Sequence, residues 1–367
     1  VRTRPPLWLA TPSRYAGVTR TRARLILGGL ALLVLLSFQS LLLGDAPSAE
    51  GAAGASDLAL YEGIVAGMRS GGGYYDVAAD QLRALDYPLR PFLTFRVPTL
   101  AVVQAALPPV AVVILMLSIS VSAGLAWLGL LMARAFTRPA PLVAAAVLLA
   151  GGLVAFVQWP LWPFHEFWAA PLVALSMAVR RPGLWLSAAA IGLAATLIRE
   201  TAALYLLVMA ACAWIEGNRR EAFGWAGALG LFAIVLGFHA WAASHAVGPL
   251  DAQSPGWAGL NGPGLFVRAV WQSSALQLLP LALAAPIVAL AAFGWSAWAD
   301  PAGKRVAAVI AAYAVVMSLF ARLDTFYWAL MATPLILVGL AFLPDALRDL
   351  ATAAMDTRRV RVQRITR

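Results

Sequence analysis

Four charged residues, far apart along the chain, have the types and settings for chemistry. Asp57 opens "SDLALYEGIVAGMRSGGGYY", Arg90 lies in "YPLRPFLTFRVP", Arg199 in "GLAATLIRETA" and Arg322 in "SLFARLDTFYW". A carboxylate can take the proton of an attacking hydroxyl, and guanidinium forks match the oxygens of a phosphate. Charges at the edge of an apolar run are costly, so they pair, snorkel or face a cavity. Glu200 and Asp324 stand close to two of the arginines, which makes plain ion pairing the competing explanation for Arg199 and Arg322. For Asp57 the competing explanation is a helix cap.

The segment around Asp57 predicts a helix from Ser56, a good N-cap, to Met68, ended by Gly71 to Gly73. Asp57, Tyr61, Ile64, Val65 and Met68 share one face of it. At a helix amino terminus the free amides and the dipole favour the ionised carboxylate, which suits a base.

These residues sit in a chain that is 62% hydrophobic and 12% charged over 367 residues, with a mean hydropathy of +0.80. A soluble domain is about 45–50% apolar and about 25% charged. The chain therefore reads as an all-α, polytopic membrane bundle. Ten apolar runs predict about ten spans, near 25–44, 109–133, 140–158, 166–179, 184–198, 201–215, 222–244, 275–298, 306–320 and 326–344. The first is preceded by six arginines and is too long for a signal-peptide core, with weak cleavage residues at Ala46 and Ala49, so it reads as an uncleaved anchor. The net charge of +10 does not indicate nucleic acid, because the basic residues fall in short clusters between apolar runs. Cys212 stands alone, which excludes a disulfide framework and a thiolate metal site.

Twenty of the 27 arginines and lysines fall on one side of these runs: residues 1–24, Arg134, Arg138, Arg180, Arg181, Arg219, Arg220, Lys304, Arg305 and the tail within 345–367. By the positive-inside rule both termini are then cytoplasmic. The other side holds Arg69, Arg83, Arg90, Arg96, Arg199, Arg268 and Arg322 together with Asp57, Asp76, Asp80, Asp86, Glu166, Glu200, Asp251 and Asp324. Two long outer loops follow, 45–108 and 245–274, within a core of 25–344. A second amphipathic or re-entrant segment is expected over 92–107, before Pro108 and Pro109, and the Gly/Pro-rich second loop reads as either a mobile cover or a connection.

Four of these segments, in order, resemble bacterial GT-C membrane glycosyltransferases of the protein O-mannosyltransferase and aminoarabinose transferase type. "SDLALYEGIVAGMRSGGGYY" is similar to that family's first outer loop, D-E-x-x-Y-x-x-x-A-x-x-M-x-x-S-G-D-Y, keeping Asp57, Tyr61, Met68, Ser70 and Gly71. "YPLRPFLTF" resembles Y-x-x-K-P-P-L-x-Y-W, "GLAATLIRETA" resembles G-L-A-x-L-x-K-G, and "SLFARLDTFYWALMATP" resembles S-x-x-x-K-L-x-x-Y-x-L-x-x-x-P. Arginines stand where lysines are usual, Leu58 replaces the second acid, and the large carboxy-terminal soluble domain of many relatives is absent.

The resemblance implies a GT-C fold with short amphipathic helices in the first outer loop. It implies inverting transfer of a sugar from a polyprenyl-phosphate carrier to an acceptor hydroxyl, at the periplasmic face of a bacterial inner membrane. Asp57 would be the base and Arg90, Arg199 and Arg322 would bind the donor phosphate. Tyr61, Arg96, His165, Glu166, Glu200, Asp324 and Tyr327 are further candidates for the pocket. The acceptor, a glycan, lipid or protein, stays open, and membrane lipids are expected partners.

No cofactor is implied. His165 and Glu166 in "QWPLWPFHEFWAA" are adjacent, so they do not face each other on a helix, and no His-Glu-x-x-His follows to hold a divalent metal. Trp159, Trp162 and Trp168 around them suit membrane anchoring or sugar stacking. His239 reads as a buried structural residue and His245 as a helix-end one. Two other functions fit the same arginines: a lipid-linked sugar transporter or flippase, disfavoured by helix centres nearly free of charge, and a noncatalytic accessory subunit, favoured by Leu58.

Overall fold

The computed structural model describes residues 5–44 and 50–356. Over these the chain is helical throughout, with only two isolated β-bridges. The helices are α1 (Arg20–Ser37), α2 (Glu50–Arg69), α3 (Tyr74–Ala84), α4 (Thr99–Ala106), α5 (Pro109–Arg134), α6 (Pro139–Leu153), α7 (Glu166–Val179), α8 (Leu186–Ile198), α9 (Ala203–Ile215), α10 (Arg219–Ala246), α11 (Pro263–Gln272), α12 (Leu281–Gly294), α13 (Pro301–Phe320), α14 (Thr333–Ile336) and α15 (Leu343–Met355). Short 3₁₀ turns join several of them. Several long apolar helices mark a membrane-embedded protein.

The expected ten crossings are not all of bilayer length. Five helical stretches are long and apolar enough to cross: Arg20–Leu41, Pro109–Arg134, Pro139–Val157, Arg219–Ala246 and Pro301–Phe320. A sixth exists only if Leu323–Met331 and Thr333–Met355, bent by 57° at their junction, count as one. The runs at 166–179, 184–198, 201–215 and 275–298 fold as short apolar helices. At 13 or 14 residues, α7, α8, α9 and α12 reach only about 20 Å, against a hydrocarbon core of about 30 Å. Local breaks cut them short: a turn at Pro182 and Gly183 (φ +78°), an extended Arg199 between α8 and α9, and a left-handed Gly217 (φ +80°) before α10.

The arginines engage two groups of partners. At one end Leu7 accepts from Arg138, Arg14 donates to Trp298, Arg134 lies 3.7 Å from Asp300, and Arg180 and Arg305 pair with Glu221 and Glu216. At the other end Arg83, Arg90, Arg96, Arg199, Arg268 and Arg322 engage the loops. Neither terminal segment is a free basic tail where it is described. The segment before α1 lies across α15, whose Asp345 carboxylate accepts the amides of Leu7, Trp8 and Leu9 at 2.6, 2.8 and 3.0 Å. Arg2, Arg4, Ala46, Ala49 and the basic residues from Arg358 onward lie outside the described residues.

The interior is packed mainly with alanine, branched aliphatic and aromatic side chains, and buried indoles find backbone acceptors, Trp127 on Ala174 and Trp295 on Leu335. Small residues let backbones touch where no water drives helices together. A Cβ on Gly294 would lie 1.9 Å from the Gly339 carbonyl oxygen, so α12 meets the segment after α14 at backbone distance. Asp345 is the polar counterpart of such contacts. Asp345→Ala should leave three amides without their acceptor and lower stability by about 2–4 kcal/mol, read as a fall in Tm in detergent micelles, with Asp345→Asn costing less.

Candidate functional site

The site is built where α2, the loop after α3, the start of α7 and the α8/α9 junction meet. Helix α2 begins at Glu50, six residues before the expected Ser56, so Asp57 is its eighth residue and not its cap. The side chain of Ser56 lies outside the described set. The expected face of α2 does form: Ile64 is buried with Leu60 against α3 and Phe95, Tyr61 and Met68 pack on the same cluster, and Val65 is buried as well. Gly67 packs on Val77, where a Cβ would come within 2.5 Å, and the helix ends at the left-handed Gly71 (φ +95°).

The shift of helix start changes the chemistry of Asp57. Without a helix terminus beneath it, the carboxyl is pushed above the ordinary aspartate range by burial, with Glu166 adding to the rise. A hydrogen bond from the Tyr87 hydroxyl and the charges of Arg96 and Arg199 oppose it. Tyr87 is absent from the sequence-based candidates. Its signal is the "DYPLR" turn after α3, where Asp86 takes a positive φ of 57°.

One turn on, the Tyr61 hydroxyl accepts from Arg96 Nε at 3.2 Å, and the Tyr61 ring meets His165 edge-on at 4.9 Å between centroids. Tyr74 donates to the Arg96 carbonyl at 2.5 Å, fixing the strand-like stretch that carries Arg96. Burial by itself would weaken the Arg96 charge, but Tyr61, Glu200, Tyr327 and Glu166 around it hold it protonated, well above even the usual arginine range. His165 is 4% exposed and burial, reinforced by Arg96 and Arg199, keeps it neutral far below the usual histidine range. Its Nδ1 is buried and has no hydrogen-bond partner.

Beneath this layer lies Arg199, 2% exposed. Its Nε is 2.6 Å from Glu166 Oε1, its Nη1 donates to Glu200 at 3.2 Å, and its guanidinium lies 5.0 Å from the centroid of the Tyr327 ring. Glu200 also accepts the Val97 amide at 3.1 Å, tying this core to the stretch bearing Arg96. Glu166 is the first residue of α7, where the helix dipole favours its negative charge.

Asp57, Tyr61, Arg96, His165, Glu166, Arg199, Glu200 and Tyr327 thus form one connected cluster. Arg90 and Arg322 do not present free forks to it. Arg90 donates to the Gly248 and Pro249 carbonyls at 2.7 and 2.5 Å, and Arg322 forks Asp324 while donating to Gly256 at 3.0 Å. Together with Arg83, bidentate on Asp251, these arginines staple the loop between α10 and α11. The Asp251 carboxyl is drawn down to about 2, first by the Arg83 hydrogen bonds. That loop is thus tied to the rest of the chain at Gly248, Pro249, Asp251 and Gly256. Arg199, expected on a phosphate, is already flanked by two carboxylates.

The tryptophans divide similarly. Trp159 is 64% exposed as an anchor should be, whereas Trp168 is buried and donates to the Trp162 carbonyl. His239 is buried between Tyr75 and the Phe95 carbonyl, and His245 is exposed. The segment expected over 92–107 is a 3₁₀ turn followed by α4. Among the described residues no three His, Cys, Asp or Glu side chains come together in a way that could hold a metal.

Comparison with known proteins finds no match: no family model, no curated protein and no solved structure. The GT-C resemblance therefore rests on the four short segments alone.

The burial of Arg199 makes a direct prediction. Arg199→Met leaves Glu166 and Glu200 without their cation and should destabilise by about 3–5 kcal/mol. Arg322→Met, at a partly exposed pair, should cost about 1 kcal/mol or less while speeding proteolysis in residues 247–262. Thermal unfolding and limited digestion of both variants check the contrast.

Proposed function

We propose that this chain is an integral-membrane, GT-C-like glycosyltransferase of a bacterial inner membrane, its ten apolar runs forming the bundle and its outer cluster the active site. It would move a sugar from a polyprenyl-phosphate-linked donor to an acceptor hydroxyl. The observation that carries this reading is the Asp57 carboxyl, half-buried and shifted toward neutrality, in the field of Arg96 and Arg199. A base poised nearer neutral pH is a better proton acceptor in the transition state.

In this reaction Asp57 removes the acceptor proton as the acceptor oxygen bonds to the anomeric carbon. The bond from that carbon to the phosphate oxygen breaks, and the electron pair leaves with the polyprenyl phosphate. Arg96 takes the role of stabilising that departing charge, because it is the cluster's guanidinium with no direct carboxylate contact, whereas Arg90 and Arg322 hold a loop. Arg199 acts through Glu166 and Glu200 to position the layer above it. The neutral His165, with its unpartnered Nδ1, is suited to hydrogen-bond a sugar or acceptor hydroxyl.

A second reading, a noncatalytic binder of the same lipid-linked sugar, is favoured by Leu58 at the place of the motif's second acid. The two differ in one experiment. Native membranes containing the protein are given polyprenyl-phosphate-linked sugar labelled in the sugar. Release of the carrier should fall about 10²–10⁴-fold in Asp57→Asn, with donor binding retained. Arg96→Gln should weaken both binding and release. A binder would bind donor and release nothing, in wild type and Asp57→Asn alike. Because the Asp57 carboxyl is raised, the proton stays on to a higher pH than in an exposed aspartate. The rate should accordingly fall on the acid side at a pH above the ordinary carboxylate range, and this limb should vanish in Asp57→Asn.

A further inference from the structure

The end of the bundle opposite Asp57 carries a second place that could hold a lipid. A groove with a cavity volume of about 750 Å³ runs between α5, α7 and α8. Leu125, Ala126, Leu130 and Ala133 of α5 form one wall, and Ala178, Val179 and Leu184 the other. Leu125 and Leu184 are 64% and 70% exposed, so the groove opens sideways to the surroundings of the bundle, and a Cβ added at Gly129 on its floor would meet nothing within 4 Å.

Two guanidiniums border this apolar groove, Arg134 and Arg181. Arg134 has only a loose contact with Asp300 at 3.7 Å, and Arg181 is exposed with no ion pair among the described residues. Arg134 also borders an adjoining cavity of about 240 Å³ lined by Arg180, Arg305 and Asp300. There Arg305 is 2% exposed and pairs with Glu216 and Glu221 through its terminal nitrogens, yet its buried Nε has no partner.

We infer that this groove binds one anionic membrane lipid, its hydrocarbon chain along α5 and its phosphate between Arg134 and Arg181. Hydrocarbon fits the groove because its walls carry no polar partner except Ser187 and the two arginines. Phosphate fits the rim because basic pockets between membrane helices attract anionic headgroups. The adjoining cavity, where Arg180 and Arg305 stand among Trp127, Met177 and Met209, gives the rest of the headgroup a place to reach. A soluble phosphate would leave the apolar walls bare, so the ligand is a lipid and not a free anion.

The test is native mass spectrometry of the full chain in detergent, titrated with phosphatidylglycerol, phosphatidylcholine or inorganic phosphate. Wild type should bind phosphatidylglycerol in preference to phosphatidylcholine, and inorganic phosphate should not displace it. Arg134→Gln combined with Arg181→Gln should weaken the preference about thirtyfold, the loss expected for two surface arginines. Gly129→Leu, which fills open space, should block phosphatidylglycerol without lowering Tm. Asp57→Asn should leave this binding intact, so the result stands apart from the fate of the glycosyltransferase reading. Equal binding by wild type, the double variant and Gly129→Leu would overturn the proposal, as would displacement by inorganic phosphate.

Discussion

The cluster around Asp57 depends on one buried cation. Arg199 sits at an extended residue between α8 and α9, almost without solvent, and its charge is met by Glu166 from α7 and Glu200 from the following turn. Taking these groups out of water is costly, and their attraction offsets that cost only when the geometry is kept. The pair is therefore better understood as a device that specifies position than as a source of stability. It sets the start of α7 against the end of α8. Through Glu200 and the Val97 amide it also sets the stretch carrying Arg96. Tyr313 of α13 donates to the Thr201 carbonyl and brings a further helix to the same junction.

On that base a reactive layer can be held with little freedom. Tyr61 links Arg96 to His165, Tyr74 fixes the backbone at Arg96, and Tyr87 holds Asp57. Layer and base together contain two guanidiniums, Arg96 and Arg199, and three carboxyls, Asp57, Glu166 and Glu200, so ionising all of them leaves an excess negative charge. Burial of Asp57 relieves that excess by favouring its protonated form, and a departing phosphate's charge would have to be met chiefly by Arg96. Three other arginines serve mechanics instead, binding carbonyls and Asp251 in the loop between α10 and α11.

Much of this was legible in the sequence, because hydropathy and charge sign are properties of single residues and survive folding. The helical class and the α2 face through Ile64 and Val65 follow from such local quantities. Helix ends did not, because they depend on neighbours: α2 extends back to Glu50 although Ser56 and Asp57 form a good local cap, and three of the four short apolar runs stop at turns set by Gly183, Arg199 and Gly217. Arginine partners were hidden for a similar reason. The Arg322–Asp324 pair was legible from their spacing, but Arg90 read as a free cation, and the carbonyls that accept from Arg90 and Arg322 lie 158 and 66 residues away. Tyr87 stayed unseen because a tyrosine in a turn gains meaning only when Asp57 lies opposite.

The most direct measurement is a structure of the protein with polyprenyl phosphate bound. The account predicts density for the phosphate within hydrogen-bonding distance of the Arg96 guanidinium and on the Asp57 side of Tyr61. Phosphate density only at the Arg134 and Arg181 groove, with the Arg96 side chain unchanged and no lipid near Asp57, would contradict it.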